Sequence, residues 1–248
     1  DKLQAEITAA YRRYEFHVIY QKIHNFCVVD LGGFYLDIIK DRLYTTPASS
    51  AARRSAQTAM YHITEAMVRW LAPILSFTAE EIWHAMPGTR AASVMLAVWH
   101  PLPEPPGSEV DWELFGALKA DVARELELLR VAGTIGAPLE AEVDIYCTAQ
   151  DIVKLSGLGD ELRFVLITSA ARVHVVDQPP LGSTGASATV AKGGASGGVW
   201  LQVTATDKSK CVRCWHHRDD VGHDPRHPEI CGRCVTNIAT AGEARRYA

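Results

Sequence analysis

Four cysteines near the end of the sequence form two closely spaced pairs. In CVRCWHHRDDVGHDPRHPEICGRC, residues 211–234, Cys211 and Cys214 make one pair and Cys231 and Cys234 make the other. Two residues between cysteines let both sulfurs of a pair face one point, and two such pairs complete a tetrahedral zinc site. Four cysteine ligands leave no open position for water. The sequence therefore predicts one structural zinc ion and no catalytic metal.

Two other interpretations of this stretch are weaker. The cysteines could form disulfides, but Cys27 and Cys147 stand alone elsewhere, which favours reduced thiols and a cytoplasmic location. A histidine could replace a cysteine as ligand. Because four well-spaced cysteines are already present, we expect the nearby histidines to face solvent; they are His216, His217, His223 and His227.

The first cysteine pair also displays an arginine and a tryptophan. Arg213 lies between the two cysteines, and Trp215 follows the second one directly. A tryptophan held rigidly beside an arginine is a suitable platform for an unstacked nucleic-acid base. Alternatively, Trp215 covers the metal site. The spacing does not distinguish these two hypotheses.

Residues 1–87 must supply a helical scaffold. Apolar residues recur every three or four positions between residues 58 and 77, as expected of a helix with one buried face. Pro73 should end or kink that helix. Thr78 and Glu81 have the spacing of a capping box for the next helix, with Phe77 and Ile82 as its hydrophobic staple.

The predicted fold class is mainly α, with an antiparallel helical bundle in residues 1–87, a small α+β module and a zinc knuckle. Proline-rich residues 88–110 form a linker. The α+β module covers residues 111–205, and the zinc-binding tail covers residues 206–248. Within the module, Asp111 is the expected N-cap of a helix, residues 141–147 and 172–177 are predicted strands, residues 199–203 are a predicted edge strand, and residues 181–198 are a low-complexity loop.

The charge of the chain does not by itself indicate a nucleic-acid binder. The formal net charge is −4, although Lys and Arg outnumber Asp and Glu by 8 to 6 in residues 206–248. Any polyanion contact therefore needs local basic patches. No apolar run approaches the roughly 18–20 residues that span a bilayer. The first residues read as the middle of a helical protein without a starting methionine, so we expect the chain to be a fragment.

Longer segments of the sequence resemble the C-terminal part of bacterial isoleucyl-tRNA synthetases. The resemblance is carried by FYLDIIKDRLYT (34–45), ARRSAQTAMYHITEAMVRWLAPILSFTAEEIW (52–83), GDELRFVLITS (159–169) and KCVRCWHHRDDVGH…EICGRCVTN (210–237). It implies an anticodon-binding helical bundle, a zinc knuckle that contacts the anticodon loop of tRNA(Ile), and a monomeric cytoplasmic parent enzyme. It also implies zinc ligation by the four paired cysteines.

The resemblance further implies which residues contact tRNA. Arg213 and Trp215 match the arginine and tryptophan that approach the anticodon bases, which favours the stacking hypothesis for Trp215. Cations in the DIIKDR and ARRS stretches are candidate phosphate contacts, with a solvated basic face as the alternative. These cations are Lys40, Arg42, Arg53 and Arg54.

The sequence shows no sign of a catalytic centre. The HIGH and KMSKS signatures that bind ATP in this enzyme class are missing, and no phosphate-cradling glycine loop or nucleophilic triad is evident. The chain is therefore predicted to be the noncatalytic, tRNA-recognising part of a ligase that uses ATP elsewhere. The alternatives are a zinc-ribbon module that binds another protein, and the equivalent region of a valyl or leucyl synthetase.

Overall fold

The protein is represented by a computed structural model that describes residues 1–104, 107, 110–186 and 198–247. The chain divides into two compact units. The helical unit comprises residues 1–37 and 54–106, and the tail-bearing unit comprises residues 38–53 and 107–248. The domain boundaries expected from the sequence stay a prediction.

The helical unit is built from helices that bury one apolar face each. Its elements are α1 (Lys2–Arg12), α2 (Phe16–Asn25), a π-helix (Phe26–Tyr35), most of α4 (Ala51–Leu71) and α5 (Ser76–Ala85). Ile7 and Ile19 are fully buried and pack with Trp70 of α4. A second cluster joins α4 to Trp83 of α5 and to Val94, which lies in a 3₁₀ turn over Val94–Leu96.

Two glycines accommodate the π-helix. A Cβ atom on Gly32 would lie 3.0 Å from the carbonyl oxygen of Cys27, and one on Gly33 would lie 3.2 Å from that of Val28. Each of these carbonyls is five residues earlier in the chain, which is the spacing of π-helical turns. The glycine pair therefore marks a widened helical turn.

Helix α5 begins earlier than its sequence motif predicted. Helix α4 ends at Leu71 before Pro73, as expected, but α5 begins at Ser76 with Leu75 as its N-cap and no side-chain capping bond. The prediction that Thr78 and Glu81 form a capping box is therefore wrong. The staple is also wrong, because the Phe77 side chain is exposed.

The tail-bearing unit contains α3 (Leu36–Thr45), of which residues 38–45 belong to it, and α6 (Trp112–Val131). The Asp111 carboxylate caps α6 by accepting a hydrogen bond of 3.0 Å from the Leu114 amide, as predicted. A four-stranded sheet follows in the order β2-β1-β4-β3. The strands are β1 (Ala141–Cys147), β2 (Ala170–Val175), β3 (Thr184–Gly185) and β4 (Val199–Ala205).

Strand β1 pairs in parallel with β2 and antiparallel with β4. The crossover from β1 to β2 contains α7 (Ile152–Leu155), a 3₁₀ segment (Ser156–Glu161) and α8 (Leu162–Leu166). Helix α6 packs on α8 and β4. Val143 and Ile145 are fully buried, and Glu142 is only 7 % exposed, so both faces of β1 are covered near its start.

Two strand predictions need correction. Residues 199–203 were expected at a sheet edge, but β4 lies between β1 and β3. Within the expected low-complexity loop, Thr184 and Gly185 pair antiparallel with β4 as β3. Residues 187–197 of that loop lie outside the described residues.

The predicted fold class is confirmed: helices dominate, a small sheet follows, and a cysteine cluster lies in the tail, where α9 (Gly232–Ala239) begins at the second cysteine pair. Among the described residues, no helix is both long enough and apolar enough to cross a membrane.

Candidate functional site

The four paired cysteines meet at one point in the tail. Their sulfur atoms all lie within 4.8 Å of one another, and all four side chains are buried. The Sγ atoms of Cys211 and Cys234 are 3.7 Å apart, as are those of Cys214 and Cys231. Zinc–sulfur bonds of about 2.3 Å in a tetrahedron place sulfurs about 3.8 Å apart. The donor set and its spacing therefore fit a closed zinc site, and the separations exceed a disulfide bond.

The two cysteine pairs lie in different local backbone structures. The first pair lies in a tight turn, where the Cys211 amide donates to the His216 carbonyl at 2.9 Å and Lys210 forms an antiparallel bridge with His217. The second pair uses a helix start, since Cys231 is the N-cap of α9 and Cys234 lies in its first turn. Hydrogen bonds from neighbouring thiols lower the pKa of Cys231, which favours a thiolate there.

An aspartate ties the connecting segment to the second pair. The Asp220 carboxylate accepts hydrogen bonds from Arg218 Nε at 2.9 Å and from the Gly232 amide at 3.1 Å. The apolar cluster around the cysteines is small and consists of Ile230 with partly buried Val221 and Val235. So little apolar surface gives weak folding free energy, and we therefore expect this segment to depend on metal.

Trp215 is exposed and lies in an unusual backbone conformation. Its side chain is 62 % exposed, and its φ of 65° is in the left-handed region that non-glycine residues seldom occupy. Its amide donates to the Cys211 carbonyl at 2.9 Å, which fixes its position next to the cysteine turn. The Lys210 Nζ atom lies 5.9 Å from the ring centre. An exposed aromatic ring with a cation over one of its faces therefore lies next to the cysteine turn.

Arg213 contacts both α3 and the cysteine cluster. Its guanidinium donates to the Thr45 carbonyl at 2.8 Å and lies 3.8 Å from Cys234 Sγ. Thr45 is the last residue of α3, so Arg213 joins the first cysteine turn to the end of that helix. The side chain is half-buried by these contacts. The geometry supports a brace between two elements of the tail-bearing unit.

The four other predicted cations differ in their exposure. Lys40 and Arg54 are exposed, and Arg53 is half-buried with its guanidinium 3.5 Å from the Thr46 carbonyl. Arg42 is only 7 % exposed. The expectation of a solvated guanidinium at position 42 is therefore wrong, because that face of α3 packs inside the tail-bearing unit.

The histidines also need correction. His216 is buried, and its ring packs edge-on against Phe164 with centres 5.5 Å apart. The His217 ring nitrogen Nδ1 lies 2.7 Å from the Lys208 carbonyl, so this residue is half-buried. His223 is exposed, as expected, and His227 is half-buried. The sulfur cluster contains only the four cysteines among the described residues.

An ion cluster that was not predicted from the sequence lies beside the cysteine cluster. Asp41 of α3 accepts two hydrogen bonds of 2.7 Å from Arg233 and a further one from Arg245. Burial favours protonation of Asp41, but the two arginines outweigh it and hold its pKa well below the usual range. Glu243 also pairs with Arg233 at 2.9 Å, and the Arg245 guanidinium stacks on Phe164 at 3.5 Å. A repeated pattern pointed to Arg233, since each cysteine pair contains an arginine before its second cysteine.

Comparison with known proteins gives two family matches. Residues 1–145 match the anticodon-binding domain of tRNA ligase, which covers more than half of the chain. Residues 208–237 match the zinc finger found in FPG and IleRS. The second match contains all four cysteines.

Curated relatives match over nearly the whole chain. An isoleucine–tRNA ligase of Halorhodospira halophila is 55 % identical over 250 residues, covering 99 % of this chain and 26 % of that protein. Proteins of the same name from Azotobacter vinelandii and Pseudomonas aeruginosa are 55 % and 53 % identical over 251 residues, again with 99 % of this chain and 26 % of each relative. The chain thus spans about a quarter of the length of these relatives.

Proposed function

The chain belongs to the family of anticodon-binding domains of tRNA ligases, and from this premise we propose that it is the tRNA-recognising part of an isoleucine–tRNA ligase. Such a ligase uses ATP to attach isoleucine to tRNA(Ile). The supporting relatives are about four times as long as this chain. We assign ATP binding and catalysis to other regions of the enzyme, which we propose to be a cytoplasmic monomer.

The observation that carries this proposal is the combination of two matched modules in one chain. An anticodon-binding match over residues 1–145 is followed by a zinc-finger match over residues 208–237, and relatives that share both stretches are isoleucine–tRNA ligases. The sulfur geometry supports one structural Zn²⁺ held by Cys211, Cys214, Cys231 and Cys234. The Zn²⁺ would fix the fold of the tail and take no part in chemistry.

We propose that the cations and the exposed ring of Trp215 contact different parts of the RNA. Lys40 and Arg54, with partial help from half-buried Arg53, contact backbone phosphates and supply affinity without sequence information. Trp215 stacks on an anticodon base that is turned out of the loop. Arg213 positions Trp215 by joining the cysteine turn to Thr45. Arg42 acts inside the fold, in keeping with its burial.

Filter binding of tRNA(Ile) by the full chain tests this function. Affinity should fall steeply as salt rises, because phosphate contacts release counterions. Trp215→Ala should weaken binding by about 5- to 150-fold, the equivalent of one lost base stack, whereas Trp215→Phe should retain most of it. Phe77→Ala, which removes an 89 % exposed ring from α5, is the matched control.

Zinc content and thermal unfolding of each variant separate recognition from folding. A Trp215→Ala protein that keeps its zinc and binds tRNA(Ile) as tightly as the parent would contradict the stacking role. Failure of the parent chain to bind tRNA(Ile) at any salt concentration would overturn the recognition function. It would favour a zinc-ribbon module that binds another protein.

A further inference from the structure

We infer that Tyr44 and Lys40 of α3 form a second contact surface for the single-stranded RNA loop, next to the one presented by Trp215. This inference rests on the proposed function and deepens it, because it assigns base stacking to an exposed tyrosine. Tyr44 is 77 % exposed and, like Trp215, lies in the tail-bearing unit.

One face of α3 is fixed to the cysteine-bearing tail. Asp41 bonds Arg233 between the second pair of cysteines, and Thr45, one helical turn later, accepts the hydrogen bond from Arg213 between the first pair. Residues four apart lie on the same side of a helix. Lys40 and Tyr44 immediately precede these two anchors, so they form a stripe next to the anchored face, and both are exposed.

The hydrogen bond between Arg213 and the Thr45 carbonyl limits how far Tyr44 can lie from Trp215. The Thr45 carbonyl is 2.8 Å from the Arg213 guanidinium, and one residue separates Arg213 from Trp215. Standard backbone dimensions and an extended arginine side chain then restrict the Cα separation of Tyr44 and Trp215 to about 23 Å at most. Bases of one RNA loop can span such a distance.

The chemistry of this surface suits a single-stranded nucleic acid. Tyr44 and Trp215 offer two exposed rings, and Lys40 and Lys210 are exposed cations beside them, with Lys210 Nζ 5.9 Å from the Trp215 ring centre. Aromatic rings that accept bases, with cations for the connecting phosphates, are the usual components of single-strand binding surfaces. Of the two carboxylates on α3, Asp41 is occupied by Arg233 and Arg245.

Binding of an RNA hairpin that carries the anticodon stem and loop of tRNA(Ile) tests this inference with the full chain. Tyr44→Ala should weaken hairpin binding by about 5- to 150-fold, and Tyr44→Phe should change it by less than about twofold, because phenylalanine still stacks. Tyr20→Ala removes a 66 % exposed tyrosine from α2 and is the matched control. Lys40→Ala should reduce the slope of log affinity against log salt by about 0.7.

A double variant tests whether Tyr44 and Trp215 bind different bases or the same base. If Tyr44 and Trp215 hold different bases, their fold losses should multiply in Tyr44→Ala/Trp215→Ala. The same hairpin with its loop bases paired into a duplex should bind parent and Tyr44→Ala equally. Unchanged loop binding by Tyr44→Ala, with Trp215→Ala still impaired, would overturn this inference and leave the proposed function intact. Failure of the parent to bind hairpin or tRNA(Ile) would overturn both.

Discussion

Asp41 accepts a hydrogen bond from each terminal nitrogen of Arg233, with both N–O distances at 2.7 Å. The two residues are far apart in sequence, and their side chains are 12 % and 6 % exposed. Through this pair, α3 is joined to the turn that contains Cys231 and Cys234. The contact joins the metal site to a helix residue that lies 192 positions earlier in the sequence.

Asp41→Asn should destabilise the tail-bearing unit. The change keeps the side-chain volume but leaves the buried charges of Arg233 and Arg245 with Glu243 as their remaining carboxylate partner, and the loss should therefore stay below the cost of a fully broken buried pair, which is about 3–5 kcal/mol. Urea unfolding, with zinc release as the signal, measures the loss of unfolding free energy. Asp30→Asn, at an exposed position, is the control and should change stability little. Equal stability of the two variants would contradict the importance of this ion pair.

Removal of the metal should unfold the cysteine-bearing tail selectively. Elemental analysis of the full chain should find one zinc per molecule, and chelation or Cys214→Ser should remove it. Hydrogen exchange should then rise in residues 211–234, whose apolar cluster is small, and change little in α4. Cys27→Ser alters a cysteine outside the cluster and should retain the zinc. A metal-free tail with fully protected amides would refute the ligand assignment.

The helical unit should lose stability in acid through Glu65. Burial raises the pKa of this carboxylate, but hydrogen bonds from Arg69, Tyr61 and Arg90 outweigh it and lower the pKa to about 2. Because the folded pKa lies below the unfolded value of about 4.5, this contribution is complete above pH 4.5 and is lost as the pH falls toward 2.

The difference in unfolding free energy between the parent chain and Glu65→Gln isolates this effect, because loss of zinc in acid affects both proteins. The difference should be constant above about pH 5 and shrink below it. A difference that stays constant from pH 5 to pH 2 would show that Glu65 does not titrate as described.

The π-helix should reject a side chain at its glycine pair. Gly32→Ala would place a Cβ atom 3.0 Å from the Cys27 carbonyl oxygen, and such overpacking costs about 1–3 kcal/mol. Gly116→Ala in α6 is the matched control, since a Cβ there meets nothing within 4 Å. It should stabilise by about 0.5–1 kcal/mol through the higher helix propensity of alanine. Thermal unfolding of both variants should therefore show opposite shifts.

Local patterns predicted the parts of this protein that depend on local chemistry. The spacing of the cysteines anticipated a cluster whose sulfurs meet, and the alternation of residues 141–147 anticipated β1. The Asp111 cap and the end of α4 before Pro73 also follow from residues close in sequence. These features need no knowledge of distant segments.

The remaining features depend on contacts between segments far apart in the chain. Arg213 donates to the Thr45 carbonyl, a partner that no motif near the cysteines reveals. The burial of Arg42 and the central position of β4 have the same origin in tertiary packing. The capping box failed because Leu75 already turns the chain into a helix before Thr78.

The left-handed backbone of Trp215 has an evolutionary consequence. A φ of 65° is comfortable for glycine or asparagine and costs a tryptophan roughly 1 kcal/mol or more. Selection for thermodynamic robustness alone would replace the indole at this position. The exposed ring at this position is therefore held at a cost in stability. Stabilising libraries of this chain should enrich small residues at position 215 and lose RNA recognition as they do so.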